Sequence, residues 1–293
     1  MFRLHPAPAS VAVTSGAVTA IAAAIAAAVV ITMPVTSGRP VAAPAERLFT
    51  GDYSTDDFSQ WPSVQNRGYN GDGVHYVPNY SATVVDDPPK GKAARFEVHK
   101  GDTPADMPSG ERSEVGEASD NTFTPAESTR WYAFSIKFDR TFPTNHTELG
   151  WGVTNQWQSD NVGSPTIEFG WENPGGDGGP DGYWSMFQQP QSSPNVSLGN
   201  VRLLDIPLNL GHWIDVVMQA HWSPSDTNGW VKVWVNGVRQ TFLTGGQTFT
   251  GRTMIPGASY VHYHEGYYRQ NGIVPTGIVY HAGFRIADTQ NSL

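Results

Sequence analysis

The sequence predicts an all-β protein, an antiparallel sandwich or barrel, and three observations carry that expectation. From residue 46 onward, apolar side chains recur with a period of two in one segment after another, and helical periodicity is nearly absent. Glycine and proline are abundant, at 31 and 22 residues, and divide the chain into short runs. Aromatic residues make up 12% of the chain and charged residues only 15%, which suits many half-buried strands joined by tight turns.

The first 45 residues stand apart from this pattern. Arg3 and His5 give a short positive start, Val18 to Met33 is apolar and uncharged, and Ala43-Pro44-Ala45 fits a small-residue cleavage site. The apolar run of about 16 residues is shorter than the roughly 20 that a spanning helix needs. The expectation is a signal peptide over residues 1–45, removed on export, rather than a retained anchor. The mature protein is then secreted, with no membrane attachment once the leader is gone.

The strands follow in order. Ala94–His99 alternates, with Phe96 and Val98 on one side and Arg95, Glu97 and His99 on the other. Glu111–Val115 puts Arg112 and Glu114 on one face. Trp131–Phe138 turns Tyr132, Phe134, Ile136 and Phe138 inward. Val153–Gln158 sets Gln156 and Gln158 opposite Trp157, and Ile167, Phe169 and Trp171 form another inward row. His212–Trp222 buries Ile214, Val216, Met218, Ala220 and Trp222. Trp230–Val235 runs into Asn236-Gly237, a strong hairpin signal, and Val238–Phe242 returns. His262–Gln270 carries His262, His264, Tyr268 and Gln270 on one face and Tyr263, Glu265, Tyr267 and Arg269 on the other, with neither face plainly apolar. Ile278–Ile286 is the last alternating strand. The glycine-rich stretch 174–180 reads as a loop inside one domain spanning 46–293, because the strand pattern continues unchanged after it.

Composition also excludes several classes. A formal net charge of −9 argues against non-specific nucleic-acid binding. With no cysteine there is neither a disulfide framework nor thiol chemistry. No His-Glu-x-x-His or His/Cys cluster marks a metal centre, so no metal is assigned and no cofactor is required.

Six stretches occur in an order that resembles the heparin-lyase-I-like and glucuronan-lyase-like polysaccharide lyases, and more distantly the alginate lyases. They are Gly110-Glu-Arg-Ser-Glu-Val115, Trp131-Tyr-Ala-Phe-Ser135, Asn155-Gln-Trp-Gln158, Gly211-His-Trp-Ile-Asp215, Gly229-Trp-Val-Lys-Val-Trp-Val-Asn-Gly237 and Gly266-Tyr-Tyr-Arg269. The resemblance implies a β-jelly roll with a concave substrate cleft, and β-elimination on a uronic-acid polysaccharide. In that reaction a base takes the proton on C5, beside the uronate carboxylate, and an acid protonates the leaving O4. The carboxylate then becomes enolate-like, and preorganised donors must stabilise it.

Carried over by motif, Arg112 is the cation for the substrate carboxylate, since its planar fork meets a carboxylate bidentately. Gln156 is the neutral donor and Tyr268 the proton carrier. Glu114, on the face of Arg112, orients it or a neighbouring basic group. Gln158, His264, Arg269 and Gln270 are expected to contact substrate. Two departures stand out. The family's Gln-x-His reads Gln156-Trp157-Gln158 here, and His264 replaces a lysine. Either another histidine is the base, His99 being the leading candidate and His146 the second, or Tyr268 is both base and acid.

Two other classes compete. A glycoside hydrolase needs paired carboxylates, and Glu168 and Glu172 lie on one strand face, but position 170 is glycine where the related hydrolase pattern has aspartate. A non-catalytic carbohydrate-binding module would use exposed Trp184, Trp230 and Trp234, but would not need Arg112, Gln156 and Tyr268 together. Asp52, Asp56, Asp57 and Asp288 make a structural Ca²⁺ conceivable if the terminal strands pair. The expected partner is an anionic polysaccharide bound by a monomer. Only 18 Lys plus Arg in the whole chain favours glucuronan or alginate over a sulfated polymer.

Overall fold

The computed structural model describes residues 46–66, 68–69, 75–104, 107–116, 123–160, 162–172 and 179–293. The leader over residues 1–45 lies outside the described residues, as does most of the 174–180 loop.

The longer strands, in chain order, are β1 (Arg47–Gly51), β2 (Ser63–Gln65), β3 (Ala82–Asp87), β4 (Gly91–Val98), β5 (Glu111–Gly116), β6 (Ser128–Phe138) and β7 (Gly152–Ser159). They continue as β8 (Ile167–Trp171), β9 (Tyr183–Gln188), β10 (Val201–Pro207), β11 (Trp213–Trp222), β12 (Trp230–Val235), β13 (Tyr260–Arg269) and β14 (Gly277–Ala287). A back sheet runs β12-β11-β6-β14-β4-β3, with β1 also on β14. A front sheet runs β10-β9-β8-β7-β13-β5-β2. Every pairing in both sheets is antiparallel. Each sheet mixes consecutive strands with neighbours far apart in sequence, as in a jelly roll. The expected sandwich is therefore present.

The inward rows read from the sequence meet between the sheets. Phe96, Val98, Tyr132, Phe134, Ile136 and Phe138 from the back sheet face Trp157, Ile167, Phe169, Trp171 and Tyr263 from the front, all buried. Trp157 sits 5.4 Å from Tyr132 edge-on and 4.8 Å from Tyr263, while Tyr263 stacks on Phe284 at 3.9 Å. The Asn236-Gly237 turn takes φ 50 and 79, the doubly positive φ of a type I′ hairpin, and the return strand is short, Val238–Arg239. Trp184 is a correction to the expected exposed aromatics. It is fully buried, stacked on Phe169 at 4.8 Å and donating to Thr154 Oγ1. It lies in the six residues of β9, whose inward face the sequence alone leaves undecided.

Polar groups are also locked into this core, directly beneath the front sheet. Glu265 accepts hydrogen bonds from Tyr53 Oη at 2.6 Å and Tyr263 Oη at 2.8 Å, and Asn155 Nδ2 donates to Tyr263 Oη at 2.6 Å. Burial and the adjacent Glu265 carboxylate push both phenols well above their usual range, so they remain donors. This network fixes the centre of β13 against β7, where the outward side chains form the site.

Candidate active site

The site is built on β5, β13 and β7, side by side in the front sheet. Register sets Tyr268 opposite Arg112 and Gly266 opposite Glu114, while Gln156 faces His264 and Gln158 faces His262. The β7 pairings with β8 and β13 both shift by one residue between Val153 and Asn155. This bulge reverses the alternation along β7. Val153 joins Gln156 on the outer face, while Thr154 and Asn155 both serve the core.

Gly266 leaves a gap in the row. It has φ 147, and a β-carbon there would strike the Glu114 backbone. Side chains two apart on a strand are separated by about 6.7 Å, so His264 and Tyr268 each stand about one step from the gap, on opposite sides of it. The floor of the gap is Glu114, which ties two donors together. Arg112 Nη1 donates to Glu114 Oε1 at 3.0 Å and Gln156 Nε2 to Glu114 Oε2 at 2.9 Å. Burial pushes the Glu114 carboxyl above its usual range, and Arg112 and Gln156 pull the other way.

Arg112 is held from further directions. Nη1 also donates to Gln65 Oε1 at 3.1 Å and Nη2 to Ser109 Oγ at 2.9 Å, while Nε has no partner. Tyr268 Oη donates to the same Ser109 Oγ at 3.0 Å. The Arg112 guanidinium lies 3.8 Å from the centre of the Tyr268 ring, and Trp151 meets the ring edge-on at 4.8 Å. Such a cation over an aromatic face holds the ring in one orientation.

His264 and His262 lie along the same face, ring centres 4.9 Å apart and tilted at 51°, and all four of their ring nitrogens lack hydrogen-bond partners. Burial lowers both imidazoles to about 3. For His264 the Arg112 cation adds to the effect, and for His262 the neighbouring His264 does. Both rings are therefore neutral at ordinary pH. His264 fits only because residue 116 is glycine, since a β-carbon there would overlap its ring.

Arg112, Glu114, Gln156, His264 and Tyr268 line a cavity of about 420 Å³, together with Gln65, Ser109, Gln158, Ser164 and Asn195. A second hollow of about 230 Å³ shares Ser164, Pro165 and Tyr268 with it and ends on Glu168, Glu172 and Trp151. Glu168 and Glu172 are hydrogen-bonded to each other, and burial raises both carboxyls, Glu168 well above the usual range with the charge of Glu172 adding to the effect. Carboxyls in direct contact share a proton and leave no room for a glycosidic bond between them, which needs at least about 5 Å.

Six of the nine residues picked from the sequence line the cavity: Arg112, Glu114, Gln156, Gln158, His264 and Tyr268. Three do not. His99 follows β4 of the back sheet, stacks on Tyr80 at 4.0 Å and pairs with Glu97, which also holds Arg95. Strand parity gave its face but not its sheet. Arg269 is fully buried on the core side of β13, donating to Glu111 Oε2 at 2.9 Å and to the carbonyls of Pro275 and Ile273. Gln270 lies beyond the end of β13, its N–H on the Trp151 carbonyl and its side chain against Gly150. The alternative His146 has both ring nitrogens against backbone carbonyls, of Gly179 and Tyr183. Sequence reading missed Gln65 and Ser109. Ser109 immediately precedes the Gly110–Val115 motif, and Gln65 sits in a strand of three residues, too short for a period to show.

The aspartates weighed for calcium do not converge. Asp56 pairs with Lys92, Asp288 with Arg130, Asp52 accepts from Gln60 and Asp57 from Ser59. Among the described residues no three His, Cys, Asp or Glu side chains are grouped to hold a metal ion.

Comparison with known proteins matches this geometry to a family. An endo-β-1,4-glucuronan lyase from the fungus Trichoderma reesei superposes with a TM-score of 0.58 at 15% identity, over 83% of this chain and 96% of that one. An alginate lyase of polysaccharide lyase family 7 gives 0.50 at 15% identity, over 75% and 92%. The catalytic domain of a glycoside hydrolase family 131 protein from Coprinopsis cinerea gives 0.55 at 12% identity, over 84% and 95%. At these identities the likenesses speak for the fold alone, and no curated protein matches the sequence. A family model described as polysaccharide lyase matches residues 53–285, a span that holds the whole front sheet and the cavity, and on that match the chain belongs to the polysaccharide lyase family.

Proposed function

We propose that this lyase is a secreted enzyme that cleaves a carboxylate-only polyuronate, glucuronan or alginate, by β-elimination in the Arg112–Tyr268 cavity. The observation that carries the reading is the linkage of Arg112 and Gln156 through Glu114 beneath a gap flanked by Tyr268 and His264. A uronate ring over Gly266 has its carboxylate within reach of both donors. Gln156 keeps a second amide hydrogen for it, and the Arg112 guanidinium supplies the positive charge. As C5 loses its proton the carboxylate takes on further charge, and these fixed donors need no reorganisation to meet it.

Tyr268 protonates the leaving O4, its phenol held by Ser109 and its ring by Arg112. His264 replaces His99 as the histidine for C5. Its neutral ring is competent to accept a proton; burial is the main cause of its low value, and a substrate carboxylate placed at Arg112 offsets the smaller contribution, that of the Arg112 cation. Arg112 is the one Lys or Arg among the residues lining the cavity, which favours a polymer carrying carboxylates without sulfates.

The hydrolase reading has one observation behind it, the Glu168–Glu172 pair in the adjoining hollow, but the direct contact of the two carboxyls argues against it. The deciding experiment is a panel of purified polyuronates followed by ultraviolet absorbance. A lyase yields an absorbing unsaturated end, a hydrolase yields new reducing ends without it, and a binding module yields neither. Reducing ends without absorbance on every polymer would end the proposal.

A further inference from the structure

We infer a second polysaccharide-binding surface on the outer face of the back sheet, the side of the sandwich opposite the cavity, that holds another stretch of the same anionic polymer. The inference rests on the proposed polyuronate substrate, and its residues take no part in the cavity. Alternation along β12 sends Val231 and Val233 into the core, both fully buried, and leaves Trp230, Lys232 and Trp234 on the outer face, partly exposed. Trp131 of β6 leans across β11 to meet Trp234, ring centres 5.4 Å apart and planes 31° from parallel. The Lys232 ammonium stands 4.2 Å from the centre of Trp230, and the Arg239 guanidinium 5.5 Å from that of Trp234.

Two features set this surface apart from an ordinary outer face. Solvent-facing positions of a sheet are usually polar, yet here three indoles occupy one patch at no benefit to the core. Its cations are also unneutralised. Elsewhere on the back sheet Lys92 pairs with Asp56, Arg95 with Glu97, Arg130 with Asp288 and Lys137 with Asp87. Lys232 reaches only Gln219 Oε1, at 3.3 Å, and Arg239 only the Gln247 carbonyl and Thr248 Oγ1, with no carboxylate partner among the described residues. Indoles offer flat apolar faces to sugar rings, and free cations beside them suit uronate carboxylates. On a chain of net charge −9 such a patch is the local exception that an acidic polymer would find. Binding there and in the cavity by one long chain raises the effective concentration of cleavable segments without changing the chemistry.

The test uses the full chain carrying Tyr268→Phe to suppress cleavage, and reads retardation in gels containing glucuronan, alginate or a neutral β-glucan. Against this background, Trp230→Ala with Trp234→Ala, and separately Lys232→Gln with Arg239→Gln, should each weaken retention by the polyuronate about tenfold, the scale of one or two lost stacking or charged contacts. The charge variant keeps every indole, so it reads the surface even where the tryptophan variant folds poorly. With Tyr268 restored, both variants should cleave oligosaccharides too short to span the two faces at the wild-type rate. Undiminished retention of both variants while the wild type still cleaves the polymer overturns the second surface and leaves the proposed function standing. A wild type that neither cleaves nor is retarded by any polyuronate overturns the proposed function first. Loss of a self-associated species in the variants, seen by sedimentation without any change in retention, would show that a second copy of the chain covers this face and would equally overturn the inference.

Discussion

The guanidinium of Arg112 lies over the ring of Tyr268, 3.8 Å from its centre, and Ser109 Oγ accepts hydrogen bonds from both side chains. One residue along each strand, on the opposite face of the sheet, their neighbours Glu111 and Arg269 form a fully buried ion pair. The same two-strand register thus sets a chemical pair outside and a structural pair inside, and each pair limits how far the other can move.

Tyr268→Phe keeps the ring and its contact with Arg112 but removes the phenolic proton. Turnover should fall by about 10²-fold or more, the usual scale for a general acid–base group, with little change in polymer binding. Arg112→Ala should lower kcat and raise KM together, because the carboxylate is held in both ground and transition states. Steady-state kinetics on the polymer identified by the panel separates the two patterns, and near-normal turnover by Tyr268→Phe would refute the mechanism.

His264→Gln and His99→Ala test which histidine matters. His264→Gln should cost turnover about as much as Tyr268→Phe, by the same general-base scale. His99→Ala should leave kcat and KM close to wild type, since its ring sits with Glu97 and Tyr80 away from the cavity. The reverse ranking would return the base to His99.

His262 and His264 should also leave a mark on stability against pH. Each has an ordinary value of 6.5 and is lowered to about 3 in the fold, mainly by burial. The unfolded chain therefore binds protons that the folded chain refuses. Their contribution is nil above about pH 6.5 and becomes increasingly unfavourable as the pH falls toward 3. Replacing both with glutamine should flatten the fall in Tm between roughly pH 7 and pH 4 relative to wild type. In ¹H–¹³C spectra the His262 and His264 ring signals should show no titration near pH 6.5, and a midpoint there would contradict the buried, neutral assignment.

Arg269 is expected to matter for stability rather than for substrate. Arg269→Met leaves Glu111 buried with its Oε2 unpaired, and breaking a buried pair costs about 3 to 5 kcal/mol. Denaturant titration should show that loss. A variant of normal stability with a raised KM would instead put Arg269 in the substrate site.

Glu168→Gln separates elimination from hydrolysis. Removing the catalytic carboxylate of a hydrolase costs at least the 10²- to 10⁴-fold of a general acid–base group. Here the glutamine should keep turnover within about tenfold, because the shared proton of the pair takes no part in the proton transfers proposed. The absorbance assay on soluble polymer reads the outcome directly.

Much of this architecture was legible in the sequence, because period-two burial is a local property. The rows at Phe96–Val98, Tyr132–Phe138 and Ile214–Trp222 each named their inner face without reference to any other strand. The Asn236-Gly237 turn carried its own backbone geometry. Arg112 with Glu114, and His264 with Tyr268, were likewise placed on common faces by parity alone. What parity cannot supply is which sheet a strand joins and which strands become neighbours. His99 has the right face on the wrong sheet, and Arg269 is an arginine whose face turns out to be the core, neutralised by Glu111 from the next strand. Gln65, Ser109 and the outer tryptophan patch depend on strands far apart in the chain lying side by side. The bulge at Val153–Asn155, which brings both Val153 and Gln156 to the outer face, exists only in the pairing of β7 with its two neighbours. The sequence by itself determined the strands and their inward faces, since alternation is set within each segment. Only the tertiary structure decided the company each outward side chain keeps, because that depends on cross-strand register, a property of two segments at once.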